Sequence, residues 1–308
     1  MFINSASPVV FGCSGLTLTP EERIFFEENQ PLGFIIFQRN VESKAQLRAL
    51  ITELKSTVTH KNPPILIDQE GGRVVRLKGP EWFNPPSSAE LAKGSLETAK
   101  AKVFETYSRI AEDLVEVGLT VDCAPVLDLD VNGADPIMGD RTFSANPEVV
   151  GELGKAAIEG LENGGITPIM KHIPGHGPAT CDSHENLPVV SLSLKELKPH
   201  FEPFKMNRLC PAAMTAHIIY SAIDPINTAT HSPVIIQEII RREIGFQGFL
   251  ISDDLGMKAL SGPLSLRAYN SLKAGCDAVL HCSGKLDEMI KVMEGVAPYS
   301  LAFKKEVS

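Results

Sequence analysis

The chain has 308 residues, 43% of them hydrophobic and 22% charged, which is the composition of a globular protein with a sizeable core. Its net charge of −9 disfavours nucleic acid and anionic membranes as partners, because an acidic protein repels both. The first residues lack the basic and apolar pattern of a secretory signal, so we expect none. There is no apolar run of transmembrane length and no CxxC pair among the six cysteines, so we expect a cytoplasmic monomer with reduced thiols that acts on a small molecule.

Short apolar runs alternate with stretches of helical periodicity along the chain. The predicted strands are residues 9–13, 33–37, 64–68, 121–127, 167–171, 212–216, 249–252 and 278–281. Because these runs are hydrophobic almost throughout, they favour parallel strands that are covered on both faces.

Local signals predict helices between these strands. Ser43 and Gln46 form a capping box ahead of an apolar stripe, which marks the start of one helix. A second helix keeps a period of three to four residues until Gly118 ends it, as glycine commonly does. The Ser-Pro pair at residues 232–233 is predicted to be the N-cap and first residue of a third helix that ends before Gly245.

This alternation predicts an α/β fold, a single (β/α)8 barrel of the TIM type that need not be regular, with residues 1–308 as one catalytic domain. A doubly wound open sheet is the alternative, because alternation alone does not separate the two. Polar residues at the strand ends favour the barrel, where such ends surround one mouth. They are Arg39, Asp68, Asp128, Lys171, His172, His217, Asp253, Asp254 and His281.

The segment KHIPGHGPATCDSHENLP at residues 171–188 is the densest in chemically active side chains. Its Pro-Gly pair prevents a helix, so we expect a long loop. Asp182 and His184 are two residues apart, and in an extended chain such side chains point the same way. The carboxylate can then orient the imidazole for proton transfer near neutral pH. Metal binding and simple loop packing are the alternatives, although the histidine spacing of zinc proteases is absent.

Two further segments carry acidic residues at strand ends. In FLISDD, Asp253 and Asp254 are adjacent, so one can act as a nucleophile while the other contacts backbone; the alternative is that both cap the next turn. In ILIDQEGGRVVRL, Asp68 and Arg76 flank a Gly-Gly turn, and MGDRTF supplies Arg141. Aspartate and arginine suit sugar hydroxyls, whereas the spacing of a nucleotide-binding P-loop is missing.

Together these motifs resemble glycoside hydrolase family 3, and most closely its compact bacterial β-N-acetylglucosaminidase branch. The matching stretches, GFIIFQRN, IDQEGGRVVRL, MGDRTF, KHIPGHG with DSHENLP, MTAHI and SDDLGM, occur in order from residue 33 to residue 257. The resemblance implies a retaining mechanism with Asp253 as nucleophile and His184 as acid/base, assisted by Asp182. It implies sugar-binding roles for Asp68, Arg76, Arg141, Lys171 and His172, and no metal or cofactor.

The same resemblance implies a role in cell-wall recycling, in which terminal N-acetylglucosamine is removed from muropeptides that carry an anhydro-muramic residue. A β-glycoside phosphorylase remains an alternative, because a neutral imidazole base does not repel phosphate as a carboxylate does. A metal-dependent barrel hydrolase is the other alternative. Ile173 and Gly256 depart from residues frequent in the branch, and neither touches the expected chemistry.

Overall fold

Eight parallel strands close into a barrel in this protein, whose computed structural model describes residues 6–131, 138–176, 179 and 187–303. The barrel strands are β1 (Ser7–Gly12), β2 (Pro31–Ile36), β3 (Ile65–Ile67), β4 (Val121–Asp122), β5 (Thr167–Ile173), β7 (Ala212–Thr215), β9 (Phe249–Asp254) and β10 (Ala278–His281). Their order around the barrel is β1-β10-β9-β7-β5-β4-β3-β2. The predicted TIM-type barrel is confirmed, and the closed sheet excludes the open-sheet alternative.

Each barrel strand is followed by at least one helix. The helices are α1 (Pro20–Asn29), α2 (Lys44–Ser56), α3 (Ser88–Leu91), α4 (Leu96–Val117), α5 (Pro147–Asn163), α6 (Leu194–Met206), α7 (Leu264–Ala274), α8 (Leu286–Phe303) and a π-helix, Ile235–Glu243. Short 3-10 turns occupy Gln38–Asn40, Gly139–Arg141 and Ala229–His231. Two short strands that the sequence did not predict, β6 (Val189–Val190) and β8 (Ile219–Tyr220), pair in a separate sheet.

The side chains of alternate strand residues pack in two separate apolar clusters. Along β1, Val9 and Phe11 pack in an outer cluster with the helices, whereas Val10 between them packs in an inner cluster. The inner cluster draws on every barrel strand or its immediate end, for example Ile35 and Met214. Successive strand side chains point to opposite faces, so a run that is apolar throughout fills both the barrel interior and the layer beneath the helices.

The helix signals in the sequence act largely as predicted. Gly118 ends α4 with a φ of +91°, a conformation that costs glycine little. The hydroxyl of Ser232 accepts the N–H of Ile235 at 3.1 Å, as an N-cap does. The capping box predicted for α2 is only half formed, since Ser43 accepts from Gln46 but the Gln46 side chain accepts from Glu42 instead.

Strand β4 is shorter than the predicted run at residues 121–127. Pro125 has no N–H to donate, which interrupts a regular ladder. The chain nevertheless stays beside β5. The backbone N–H of Lys171 donates to the carbonyl of Pro125 at 3.0 Å, and the backbone N–H of Leu127 donates to the carbonyl of Lys171 at 2.8 Å. These irregular contacts bring the residues after Pro125 to the end of the barrel where β5 finishes.

Two further expectations concern the cysteines and the absence of a transmembrane segment, and both are considered for the described part of the chain. Its five cysteines are buried and unbridged. Among the helices of the same ranges, none combines the length and the apolar character that crossing a membrane requires.

We expect Gly295→Ala to destabilise the barrel, because Gly295 of α8 lies against the backbone of α7. A Cβ there would fall 2.0 Å from the carbonyl oxygen of Ser265, and backbone cannot move aside as a side chain does. Overpacking of this kind costs about 1–3 kcal/mol, more than the gain in helix propensity of about 1 kcal/mol. Urea unfolding measures the difference. Gly15→Ala is the matched control, because a Cβ there meets nothing within 4 Å; equal stabilities of the two variants would contradict the expectation.

Candidate active site

A polar cavity of about 240 Å³ lies at the C-terminal ends of the barrel strands. Its walls comprise Asp68, Glu70, Val74, Arg76, Met138, Arg141, Lys171, His172, His176, Met214 and Asp253. A second cavity of about 290 Å³ adjoins it and shares Asp68, Arg76, Met214 and Asp253 with it. Catalytic side chains of a barrel enzyme converge at this end of the strands.

A network of buried ion pairs forms one side of the cavity. The Lys171 ammonium lies 2.9 Å from an Asp68 oxygen and 2.7 Å from a Glu70 oxygen. Arg141 donates from Nε and from Nη2 to the two oxygens of Glu70, each at 2.8 Å. Arg76 donates to the second oxygen of Asp68 at 2.9 Å. Lys171 and Glu70 are each only 2% exposed, so these charges are compensated by one another more than by water.

Mutual pairing keeps these groups ionised despite burial. Burial alone would raise the pKa of Glu70, but Arg141 and Lys171 lower it to about 2. For Asp68 the charges of Lys171 and Arg76 likewise outweigh burial and hold the pKa well below its ordinary value. Burial opposes the charge of Lys171, but Asp68 and Glu70 raise its pKa above that of a free lysine. The cavity wall therefore presents fixed charges across the neutral pH range.

A buried carboxylate orients the two histidines of the wall. Asp128, 1% exposed, accepts from the backbone N–H of His172 at 3.2 Å and lies 2.7 Å from its Nδ1. The other oxygen of Asp128 accepts the backbone N–H of His176. Burial and the neighbouring His172 lower the pKa of His176 to about 4, so its ring is neutral at physiological pH.

The turn after β3 brings Arg76 back to Asp68. The Gln69 side chain accepts the N–H of Arg76 at 2.8 Å and that of Leu77 at 3.2 Å. Between them the chain reverses at Gly71, whose φ is +106° and whose Cβ position is 2.3 Å from the carbonyl of Pro86. Only glycine fits such a position without strain. The predicted Gly-Gly turn thus places a guanidinium over the cavity.

The two adjacent aspartates of β9 face different surroundings. Asp253 lines both cavities, and its Oδ1 accepts the N–H of Asp254 at 2.8 Å. Asp254 lines only the second cavity, and its Oδ1 accepts the N–H groups of Gly256 at 2.9 Å and Cys282 at 3.1 Å. Asp253 therefore faces both cavities and Asp254 only the second, and both carboxylates accept backbone N–H.

The other strand-end residues lie near the mouth but outside the first cavity. Arg39 lines the second cavity and donates to the carbonyls of Cys13 and Cys282. His217 and His281 are buried, with 1% and 0% exposure. The barrel thus orients some of these polar residues toward the cavities and others into hydrogen bonds within the wall.

The structure brings most of the predicted site residues to one cavity. Asp68, Arg76, Arg141, Lys171, His172 and Asp253 all line it. Asp182 and His184 lie outside the described residues. Sequence reasoning missed Glu70 as a site residue, although its position two residues after Asp68 indicates the same face in an extended chain. Its partner Arg141 is 71 positions away in sequence, and no local pattern predicts that pairing.

The donor set of this cavity suits a neutral polyhydroxylated ligand. Charged donors and acceptors alternate along the wall, and the side chains of Val74, Met138 and Met214 add apolar surface. Within the described ranges, no group of three or more His, Cys, Asp or Glu side chains has the arrangement of a metal site. A carboxylate beside such a wall can attack an electrophilic carbon of a bound ligand.

We expect Glu70→Gln to lower the free energy of unfolding by about 3 kcal/mol at pH 7, because it leaves Lys171 and Arg141 buried with one carboxylate fewer. The Glu70 pKa of about 2 lies below its ordinary 4.5. Its contribution is therefore complete above pH 4.5 and is lost as the pH falls toward 2, so wild type and variant should converge in acid.

Urea unfolding across this pH range measures the difference. Glu90→Gln is the control, because Glu90 pairs with Lys93 on the surface, where an ion pair contributes less than about 1 kcal/mol. A constant gap between wild type and Glu70→Gln from pH 7 to pH 2 would rule out the linkage.

Comparison with known proteins places this site in a family. Residues 18–303 match the profile of the glycosyl hydrolase family 3 N-terminal domain. A beta-hexosaminidase of Alkalilimnicola ehrlichii is 38% identical over 286 residues, which cover 90% of this chain and 80% of the relative. NagZ from Neisseria gonorrhoeae, solved in complex with N-trifluoroacetyl-D-glucosamine, superposes with a TM-score of 0.86 at 33% identity, over 98% of this chain and 89% of that chain.

A longer relative has the same barrel. The structure of a glycoside hydrolase family 3 beta-N-acetylglucosaminidase from Paenibacillus superposes with a TM-score of 0.89 at 29% identity, and the alignment covers 98% of this chain but 58% of that one. The profile match over nearly the whole chain and the identity to the curated relative agree. The chain belongs to glycosyl hydrolase family 3.

Proposed function

We propose that this chain is a retaining exo-β-N-acetylglucosaminidase that releases terminal N-acetylglucosamine from muropeptides through a covalent glycosyl-enzyme. The observation that carries the proposal is the position of Asp253 in the wall of a cavity also lined by Asp68, Arg141 and Lys171. Membership of family 3 makes the chain a glycoside hydrolase, and its curated relatives are β-hexosaminidases. We place the activity in one catalytic domain, residues 1–308, acting as a cytoplasmic monomer.

In the first step, the Asp253 carboxylate attacks the anomeric carbon and the bond from that carbon to the departing oxygen breaks. The His184 imidazolium gives its proton to that oxygen, so the aglycone leaves as a neutral alcohol. In the second step, neutral His184 takes a proton from water as the water oxygen attacks the anomeric carbon and releases the Asp253 carboxylate. Asp182 stabilises the imidazolium, as a carboxylate beside a catalytic histidine does.

The buried wall supplies binding and orientation. We assign the sugar hydroxyls to Asp68, Arg76, Arg141, Lys171 and His172. Since Asp68 and Lys171 already pair with each other at 2.9 Å, each has its direction fixed before the sugar arrives. Preorganised donors of this kind do not have to reorient in the transition state.

The role in cell-wall recycling rests on the nature of the aglycone. A muropeptide presents an N-acetylglucosaminyl residue on an anhydro-muramic group, and mass spectrometry detects its release directly. We expect turnover of this substrate with release of a single terminal sugar per chain. A muropeptide that stays intact under conditions in which the nitrophenyl substrate is hydrolysed would contradict this role.

We expect Asp253→Asn to lower kcat for 4-nitrophenyl N-acetyl-β-glucosaminide by roughly 10³-fold or more, the scale seen when a catalytic nucleophile is removed. Asp254→Asn is the matched control. It keeps an oxygen that can accept the N–H groups of Gly256 and Cys282, so a far smaller loss is expected. Release of 4-nitrophenol is followed with and without EDTA and with added phosphate.

The comparison of the variants, the addition of EDTA and the addition of phosphate each test a different assignment. Equal losses in the two variants would overturn the assignment of the nucleophile. Abolition of wild-type activity by EDTA would indicate the metal-dependent alternative, and formation of the sugar 1-phosphate would indicate phosphorolysis.

The proton-transfer role of His184 predicts a dependence on the leaving group. 4-Nitrophenolate is a good leaving group that departs without being protonated. The oxygen of a leaving sugar has to be protonated as its bond breaks. We therefore expect His184→Ala to reduce kcat/KM, which reports the first step, by about 10²–10⁴-fold for a disaccharide, the usual contribution of general acid catalysis, and by much less for the nitrophenyl substrate. Equal losses on both substrates would argue against a proton donor at this position.

A further inference from the structure

His217 lies at the end of β7, behind the cavity. It is 1% exposed and contributes no atom to the lining of either cavity described above. Its Nε2 lies 3.1 Å from the carbonyl oxygen of Asp254, and its Nδ1 lies 2.7 Å from the hydroxyl of Thr230. This histidine therefore joins the end of β7 to the backbone that follows Asp253.

The partners of His217 determine its tautomer. A carbonyl oxygen only accepts, so Nε2 carries the hydrogen and donates to Asp254. Burial lowers the pKa of His217, although the nearby Asp253 opposes this, and a neutral ring leaves Nδ1 as an acceptor for the Thr230 hydroxyl. Thr230 in turn lies 2.8 Å from the hydroxyl of Thr215, which can donate to it. The same Thr230 hydroxyl also lies 3.2 Å from the carbonyl oxygen of Ala216, so Thr230 holds the ring beside the end of β7, and Nε2–H is the bond that reaches Asp254.

Residue 254 is held through its backbone on both sides. Its carbonyl accepts from His217 and from the N–H of Met257, each at 3.1 Å, while its N–H donates to the Asp253 carboxylate at 2.8 Å. Its own side chain is fixed by the backbone N–H groups of Gly256 and Cys282. The peptide that carries the N–H of residue 254 is also held by the Ser252 hydroxyl, which donates to the carbonyl of Asp253 at 2.8 Å, and His217 holds the other side of residue 254.

We propose that His217 is a positioning residue for the nucleophile: its Nε2–H fixes the backbone of Asp254, whose N–H in turn fixes the Asp253 carboxylate toward the anomeric carbon. This inference rests on the proposed function, in which Asp253 attacks the sugar. His217 touches neither substrate nor reacting atoms in this scheme. Misplacement of a reacting group by about 1 Å costs about 10²-fold in rate, so a lost anchor should appear in kcat.

The test compares two substitutions of His217 that differ in how far the side-chain nitrogen extends toward the carbonyl of Asp254. In His217→Gln the side-chain amide nitrogen lies as many bonds from Cβ as Nε2 does in histidine, so it can still donate to Asp254. In His217→Asn the nitrogen lies one bond short, so the carbonyl of Asp254 loses the His217 donor and keeps the N–H of Met257 at 3.1 Å. Both side chains are polar and smaller than or similar to histidine, so the pair separates the hydrogen bond from the loss of a buried ring.

His60→Leu is the control for a buried histidine as such. His60 is 6% exposed, and its Nε2 lies 3.0 Å from the backbone carbonyl of Leu32 near the start of β2, away from the strand ends that carry the site. A purely structural role for His217 predicts that it behaves like His60, with a lower melting temperature and little change in kcat.

The readouts are kcat and KM for 4-nitrophenyl N-acetyl-β-glucosaminide, and the rate constant for covalent labelling by a 5-fluoro-N-acetylglucosaminyl fluoride, which reports attack by the nucleophile. We expect His217→Asn to lower kcat and the labelling rate by about 10- to 100-fold, with KM within about 3-fold of wild type. His217→Gln should recover most of that loss.

The outcomes separate the inference from the proposed function. An active wild type with His217→Asn as fast as His60→Leu, or with His217→Gln no better than His217→Asn, would overturn the positioning role alone. A wild type that neither hydrolyses the substrate nor takes up the label would overturn the proposed function, and the inference with it.

Discussion

The buried ion pairs of Lys171 hold the site together. One ammonium at 2% exposure bridges two carboxylates that follow a different strand, and each carboxylate also pairs with an arginine. Removing any member leaves a charge in a place with little water, which is far more costly than leaving an exposed pair incomplete. The positions of the five side chains therefore depend on one another. Lys171 holds Asp68 and Glu70 in place, and these carboxylates hold Arg76 and Arg141.

The barrel is what brings these partners into contact. Lys171 and Asp68 are 103 positions apart in sequence, yet β3 and β5 are separated in the barrel only by β4. Parallel strands direct all their C-terminal ends to one side, so residues from distant parts of the chain meet without long insertions. The three cations and two anions of the network leave an excess of positive charge in the wall that also contains Asp253.

The sequence predicted this arrangement unevenly, for physical reasons. Strand positions and the end of α4 at Gly118 follow from apolar runs and local backbone preferences, which need no knowledge of the fold. The contacts of Gln46 depend on which neighbour lies within reach, and the sequence contains no local sign of them. Pro125 is a local sign of the early end of the β4 ladder, but the predicted strand runs through it. Glu70 was missed as a site residue and His217 was noted only as a polar residue at a strand end, because their partners, Arg141 and Asp254, are remote in sequence. Asp182 and His184 remain predictions.

The segment between Asp68 and Leu77 has no regular secondary structure over most of its length, yet its amides are bound like those of a strand. Gln69 donates its own N–H to buried Asp122 at 3.0 Å, and its side chain takes the N–H groups of Arg76 and Leu77. Amide hydrogens exchange with solvent when such bonds open, and protection follows the cooperative unit to which they belong. Because Gln69 ties this segment to Asp122 of β4, we expect the amide of Arg76 to exchange with solvent about as slowly as the amides of the barrel strands.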